Sequence, residues 1–116
     1  MEKSEYKGVF VFVEQRSGII QNVSLELLGK ARDLADALDD KVYAILVGSK
    51  IVDKAQTLIA HGADVVICAD APELNDYLTE PYTQAIYHIV NEHKPSILML
   101  GATTIGRDLG PRLSAR

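Results

Sequence analysis

The sequence predicts an α/β fold: a parallel sheet of about four strands in the order 3-2-1-4, with helices on both faces. Three observations carry that expectation. Four short apolar runs recur along the 116 residues, the segments between them have helical periodicity, and the two kinds of segment alternate. The runs are VFVFV (9–13), VYAILV (42–47), VVICA (65–69) and ILML (97–100). They are nearly continuous rather than alternating, as expected of strands covered on both faces.

The first strand leads into EQRSGIIQN (14–22), where Arg16-Ser17-Gly18 reads as a turn between two short extended pieces. A small hairpin is expected there. In the first helix Leu27, Ala31, Leu34, Ala35 and Leu38 form one apolar stripe, with Ser24 or Asn22 as the expected cap and Asp39-Asp40 at the end. The second helix should begin after Ser49, bury Val52, Ala55 and Ile59, and stop at His61-Gly62. The third uses Tyr82, Ala85, Ile86, Ile89 and Val90, capped by Thr79, with Pro81 tolerated in its first turn and Lys94-Pro95 as the stop. A fourth helix should start within GATTIGR (101–107), and Pro111 should kink or restart it because it cannot donate to the carbonyl of Arg107. The chain stops at Arg116 with helical spacing unfinished, so the expectation is one N-terminal α/β domain, residues 1–116, incomplete at its C-terminus and belonging to a longer protein.

Composition bounds the function. With 47% hydrophobic and 24% charged residues this is one globular domain, and a net charge of −4 gives no general attraction to nucleic acid or anionic lipid. No apolar run approaches the roughly 20 residues of a membrane span, and the polar start MEKSEYKG lacks a signal h-region. A single cysteine, Cys68 in VVICA, reads as a buried inert residue and excludes an internal disulfide, which suits the cytoplasm. Basic residues do bunch at the end, with Arg107, Arg112 and Arg116 against Asp108, as a solvated helix face or a local anion contact.

Catalytic constellations are scarce. His61, His88 and His93 lack metal-pair spacing, no G-x-S-x-G elbow is present, and Glu73, Asp76 and Glu80 near a turn are better explained by capping and solvation. No enzyme active site is expected within this chain. Gly29 inside the first helix costs about 1 kcal/mol relative to alanine, which predicts close packing on the sheet or a partner surface.

In a 3-2-1-4 sheet, ligands bind where the strand order reverses, and two segments meet there: 101–107 and 14–22. Gly101 is expected to turn the backbone off the strand, Thr103 or Thr104 to cap the helix, and Arg107 to lie one turn in. These four residues are the candidates for contact with an anion or a nearby flavin; structural or subunit-interface use is the competing reading.

VFVEQRSGIIQNVSLELLGKARDLA and LMLGATTIGRDLGPRLSAR together resemble the N-terminal domain of the electron transfer flavoprotein alpha subunit, over essentially the whole chain; DLGPRLSAR resembles the version in anaerobic, bifurcating members. The resemblance implies an adenine-nucleotide-hydrolase-like fold and a heterodimeric electron carrier with a beta subunit and dehydrogenase or reductase partners. It implies FAD in the intact protein, held mainly by a C-terminal domain, and none bound by this chain alone. The rival is a stand-alone adenine-nucleotide binder of the universal-stress type, which should carry its glycine-spaced loop where this chain has arginines and a proline. A small hydrolase of the fold should carry a serine-glycine-rich loop where this chain has EQRSG.

Overall fold

The computed structural model describes residues 6–115. Four strands form one parallel sheet: β1 (Val9–Val13), β4 (Val42–Gly48), β5 (Val65–Asp70) and β6 (Ile97–Met99). Their order is β5-β4-β1-β6, so the sheet strands run third, second, first, fourth along the chain, as the sequence predicts. Val9 pairs with both Val42 and Ile97, which makes β1 central. The fold differs from expectation in burial: β1 is wholly buried and β4 nearly so, whereas the two outer strands are mostly half-buried because each has only one neighbour.

Alternation along β1 builds two cores. Val9, Val11 and Val13 face α1 (Asn22–Leu38), meeting Leu28, Ala31 and Ala35. Phe10 and Phe12 face the other way, toward Tyr82 and Ile86 of α3 (Thr79–His93) and Leu109 of α4 (Thr104–Ser114). Helices therefore cover both faces.

The hairpin after β1 is present: β2 (Gln15–Arg16) pairs antiparallel with β3 (Ile19–Ile20). Ser17 and Gly18 both have positive φ, 52° and 80°, as a two-residue turn of this hand requires. Two expected caps are not caps. The α1 N-cap is Gln21, without a side-chain bond; Ser24 lies inside the helix, fully buried, its Oγ accepting from the Glu14 N–H at 2.7 Å. Asn22 is already helical. Likewise α3 is entered through Leu78, and the Thr79 hydroxyl instead donates to Asp108. Asp39, in the left-handed conformation, ends α1 as expected.

The second helical segment corrects the expected stripe by one residue. A 3-10 turn (Val52–Lys54) precedes α2 (Ala55–Ala60), and the residues facing inward are Ile51 and Leu58, while Val52 and Ile59 are 61% and 44% exposed. The Asp70 carboxylate accepts from the N–H groups of Lys50 and Ile51, which fixes the turn with Ile51 pointing into the core. Gly29 is also a correction: it is exposed on α1 with no atom within 4 Å of where a Cβ would stand, so it does not pack on the sheet. Pro111 neither breaks nor restarts α4, which runs through it as one helix; Leu109 and Leu113 pack against the core on either side, and Arg112 pairs with Asp108 at 3.2 Å. Arg116 lies outside the described residues.

Candidate functional site

The strand order reverses between β1 and β6, and there the β2–β3 hairpin faces the start of α4. A cleft of about 210 Å³ lies between them, lined by Glu14, Gln15, Arg16, Gln21, Val23, Thr103, Thr104 and Ile105.

Glu14 is the first residue beyond β1 and is only 6% exposed. Its backbone is fixed from both sides: its N–H donates to Ser24 Oγ, and its carbonyl accepts from the Gln21 N–H at 3.0 Å. The side chain reaches the α4 N-terminus, where the Thr103 hydroxyl donates to Glu14 Oε2 at 2.6 Å and accepts from the Gly106 N–H at 3.0 Å. Thr103 is thus the N-cap, and a carboxylate sits against the positive end of the helix. Thr104 is the first helical residue, not the cap.

The glycines serve close approach. A Cβ on Gly101 would stand 3.0 Å from Glu14 Oε2, and one on Gly106 only 1.9 Å from the Gly101 carbonyl oxygen. Gly101 does not have the positive φ that would mark it as a strained turn. Arg107 is exposed on the next turn and does not line the cleft. The four candidates therefore divide: Gly101, Thr103 and Thr104 surround or border the Glu14 carboxylate, and Arg107 stands outside.

Gln15 locks the hairpin to the sheet. Its Nε2 donates to the Val47 carbonyl at 3.1 Å and to Tyr82 Oη at 3.3 Å, while its Oε1 accepts from the Gly18 N–H at 2.8 Å. Tyr82 passes the chain on by donating to the Leu74 carbonyl at 2.7 Å, and its burial pushes the phenol pKa up. Gly48 leaves the space: a Cβ there would be 2.8 Å from Gln15 Nε2. Beside this network, Asp108 accepts from Tyr77 at 2.5 Å and Thr79 at 2.7 Å; these bonds hold its carboxyl below the usual range. Burial, reinforced by the bond to Asp108, pushes the Tyr77 phenol up to about 12.

The remaining candidates stay apart. His61 Nδ1 lies 2.9 Å from the Thr57 carbonyl, His93 packs near Phe10 and Tyr43, and His88 near Tyr87. Among the described residues no group of three His, Cys, Asp or Glu could hold a metal. Cys68 is half-buried, and burial raises its thiol pKa, which keeps it a poor nucleophile. Glu73 and Glu80 each lie in the first turn of a helical segment, but the N-caps are Ala71 and Leu78 and neither segment has a side-chain cap bond. No helix among the described residues is long and apolar enough to cross a membrane.

The cleft does not fit an adenine dinucleotide. Its volume is below the roughly 300 Å³ at which cofactor pockets begin, and its most buried polar group is an anion where a pyrophosphate needs donors. Sequence reasoning missed Glu14; the available signal was a charged residue directly after five apolar strand residues, beside a glycine-rich stretch.

The electron transfer flavoprotein domain family matches residues 9–116 of the chain. Among curated proteins, Protein FixB of Clostridium saccharobutylicum is 53% identical over 116 residues, and the electron transfer flavoprotein subunit alpha of Clostridium acetobutylicum 50% over 116; each match covers 100% of this chain. The chain spans 34% of the length of each of these relatives. Among solved structures, a universal stress protein in complex with cAMP matches with a TM-score of 0.57 and 19% identity, covering 96% of this chain and 90% of that one; it bears on the fold alone.

Proposed function

The chain belongs to the electron transfer flavoprotein domain family, and on that premise we propose that residues 1–116 are the N-terminal domain of an alpha subunit, acting as a scaffold and subunit-interaction module. The observation that carries this reading is the collinear similarity to an alpha subunit over the whole chain. In the intact assembly FAD would supply electron transfer between dehydrogenases and acceptors, held by residues outside this chain. This chain's own contribution is a rigid end of a sheet: Gln15 pins the hairpin, Thr103 fixes the start of α4, and Arg107 is presented outward. The partners proposed are a beta subunit and the dehydrogenase or reductase it serves, in the cytoplasm.

Arg107 is the residue proposed to meet the beta subunit, because it is exposed and makes no ion pair among the described residues. Size-exclusion chromatography with a beta-type subunit of the family tests the reading. A stable complex is expected, weakened at least tenfold by Arg107→Ala. No association of the unaltered chain would count against the module, and equal association of the variant would remove Arg107 from the interface.

A further inference from the structure

Glu14 and Gln15 are consecutive, and their side chains tie the hairpin to α4 along two separate routes. Glu14 reaches the start of the helix directly, through the Thr103 hydroxyl. Gln15 takes a longer route: its Nε2 donates to Tyr82 Oη at 3.3 Å, the Tyr82 and Tyr77 rings meet edge to face with centroids 4.9 Å apart, and the Tyr77 hydroxyl donates to Asp108 of α4. Each hydroxyl on this route is committed. The single Tyr82 proton goes to the Leu74 carbonyl at 2.7 Å, which leaves the oxygen to accept from Gln15, and the residue is buried. Asp108 Oδ2 accepts from both Tyr77 and Thr79, while Oδ1 accepts from Arg112. The hairpin turn lacks such support on its outer side, where a cleft of about 250 Å³ lies between Arg16-Ser17 and residues 75–77. The position of the turn therefore depends on Gln15, whose Oε1 also accepts from the Gly18 N–H.

We propose that Gln15, Tyr82, Tyr77 and Asp108 form a conformational relay that couples the position of the β2–β3 hairpin to that of α4. Packed interiors do not deform continuously, so a ring displaced at one tyrosine must move its neighbour. A displacement of α4 at Asp108 shifts Tyr77, then its ring contact with Tyr82, and so weakens one of the two bonds by which Gln15 Nε2 holds the hairpin to the sheet. The coupling is reciprocal: a displaced hairpin loosens the hold of Tyr77 on α4. Arg107 is exposed and adjacent in sequence to Asp108, so an event on that turn of α4 is transmitted to the hairpin. The relay needs only contacts within this chain and is independent of the assembly reading.

Amide hydrogen exchange of the isotope-labelled chain, followed by NMR at Gly18 and in β1, tests the relay. Tyr77→Phe keeps the ring contact and removes only the hydroxyl that holds α4, with Glu14, Thr103 and Gln15 all unaltered. It should accelerate exchange at Gly18 by about threefold or more while Val11 stays protected. Asp108→Ala should do the same by removing the acceptor, and it carries the test if Tyr77→Phe does not fold. Arg112→Ala removes the bond to the other Asp108 oxygen and should leave Gly18 unchanged. In a Gln15→Leu background, where the relay is already cut, Tyr77→Phe should produce no further acceleration. An unchanged Gly18 rate in either folded variant, equal acceleration at Val11, an Arg112→Ala effect as large as that of Tyr77→Phe, or a full Tyr77→Phe effect in the Gln15→Leu background would each overturn the proposal.

Discussion

Thr103 donates its hydroxyl proton to Glu14 Oε2 at 2.6 Å across 89 residues of sequence, and the Thr103 Oγ1 itself accepts from the Gly106 N–H at 3.0 Å. One hydroxyl thereby joins the end of the central strand to the start of the last helix. Thr103→Ala removes the cap and leaves the carboxylate without its donor. The expected loss is about 2 kcal/mol or more, with Thr103→Ser recovering most of it, read by urea denaturation.

Two helical glycines should respond in opposite senses. Gly106→Ala places a Cβ 1.9 Å from the Gly101 carbonyl, so α4 must move and about 3 kcal/mol or more is lost. Gly29→Ala meets nothing within 4 Å and should stabilise the isolated chain by about 1 kcal/mol. Thermal melts of the two variants settle both signs. If Gly29→Ala also weakens association with a beta-type subunit, the glycine is there for the partner.

Gln15→Leu should free the hairpin while leaving the sheet intact. It removes the bonds to Val47, Tyr82 and Gly18 and leaves the Val47 carbonyl short of a donor, at a cost of about 1–3 kcal/mol. Hydrogen exchange at the Gly18 amide should accelerate at least tenfold, while the β1 amides stay protected.

Acid should destabilise the fold from about pH 4 downward. Asp64 is held below the ordinary carboxylate range by the Val42 N–H and Arg32, Asp70 by the Lys50 and Ile51 N–H groups, and Asp108 by Tyr77 and Thr79. Because the folded pKa is the lower one, the contribution is complete above the unfolded value and is lost as pH falls through the folded value. Tyr77 acts at the other end: raised to about 12, it favours the fold below pH 10 and loses that advantage between roughly 10 and 12. Melting temperature against pH should fall at both ends, and Asp70→Asn should flatten the acid limb.

The order of elements was legible because apolar spacing differs between strand and helix, and the two central strands, buried on both faces, left an uninterrupted record in VFVFV and VYAILV. The caps were less legible. Ser24 and Thr79 have the right chemistry for N-caps, but Glu14 and Asp108, distant in sequence, claim their hydroxyls. The second helix was misphased because Asp70, on the next strand, sets which residue of the turn faces inward. The candidate site was half legible. The glycines and Thr103 could be read from 101–107, but the buried carboxylate they accommodate comes from the other end of the chain.

As proposed, this chain is an assembly module without a nucleotide or flavin site of its own. Titration calorimetry of AMP and of FAD into the purified chain tests it most directly. No saturable heat is expected for either ligand, with a colourless protein recovered, and tight stoichiometric binding of either one would overturn the assembly-module proposal.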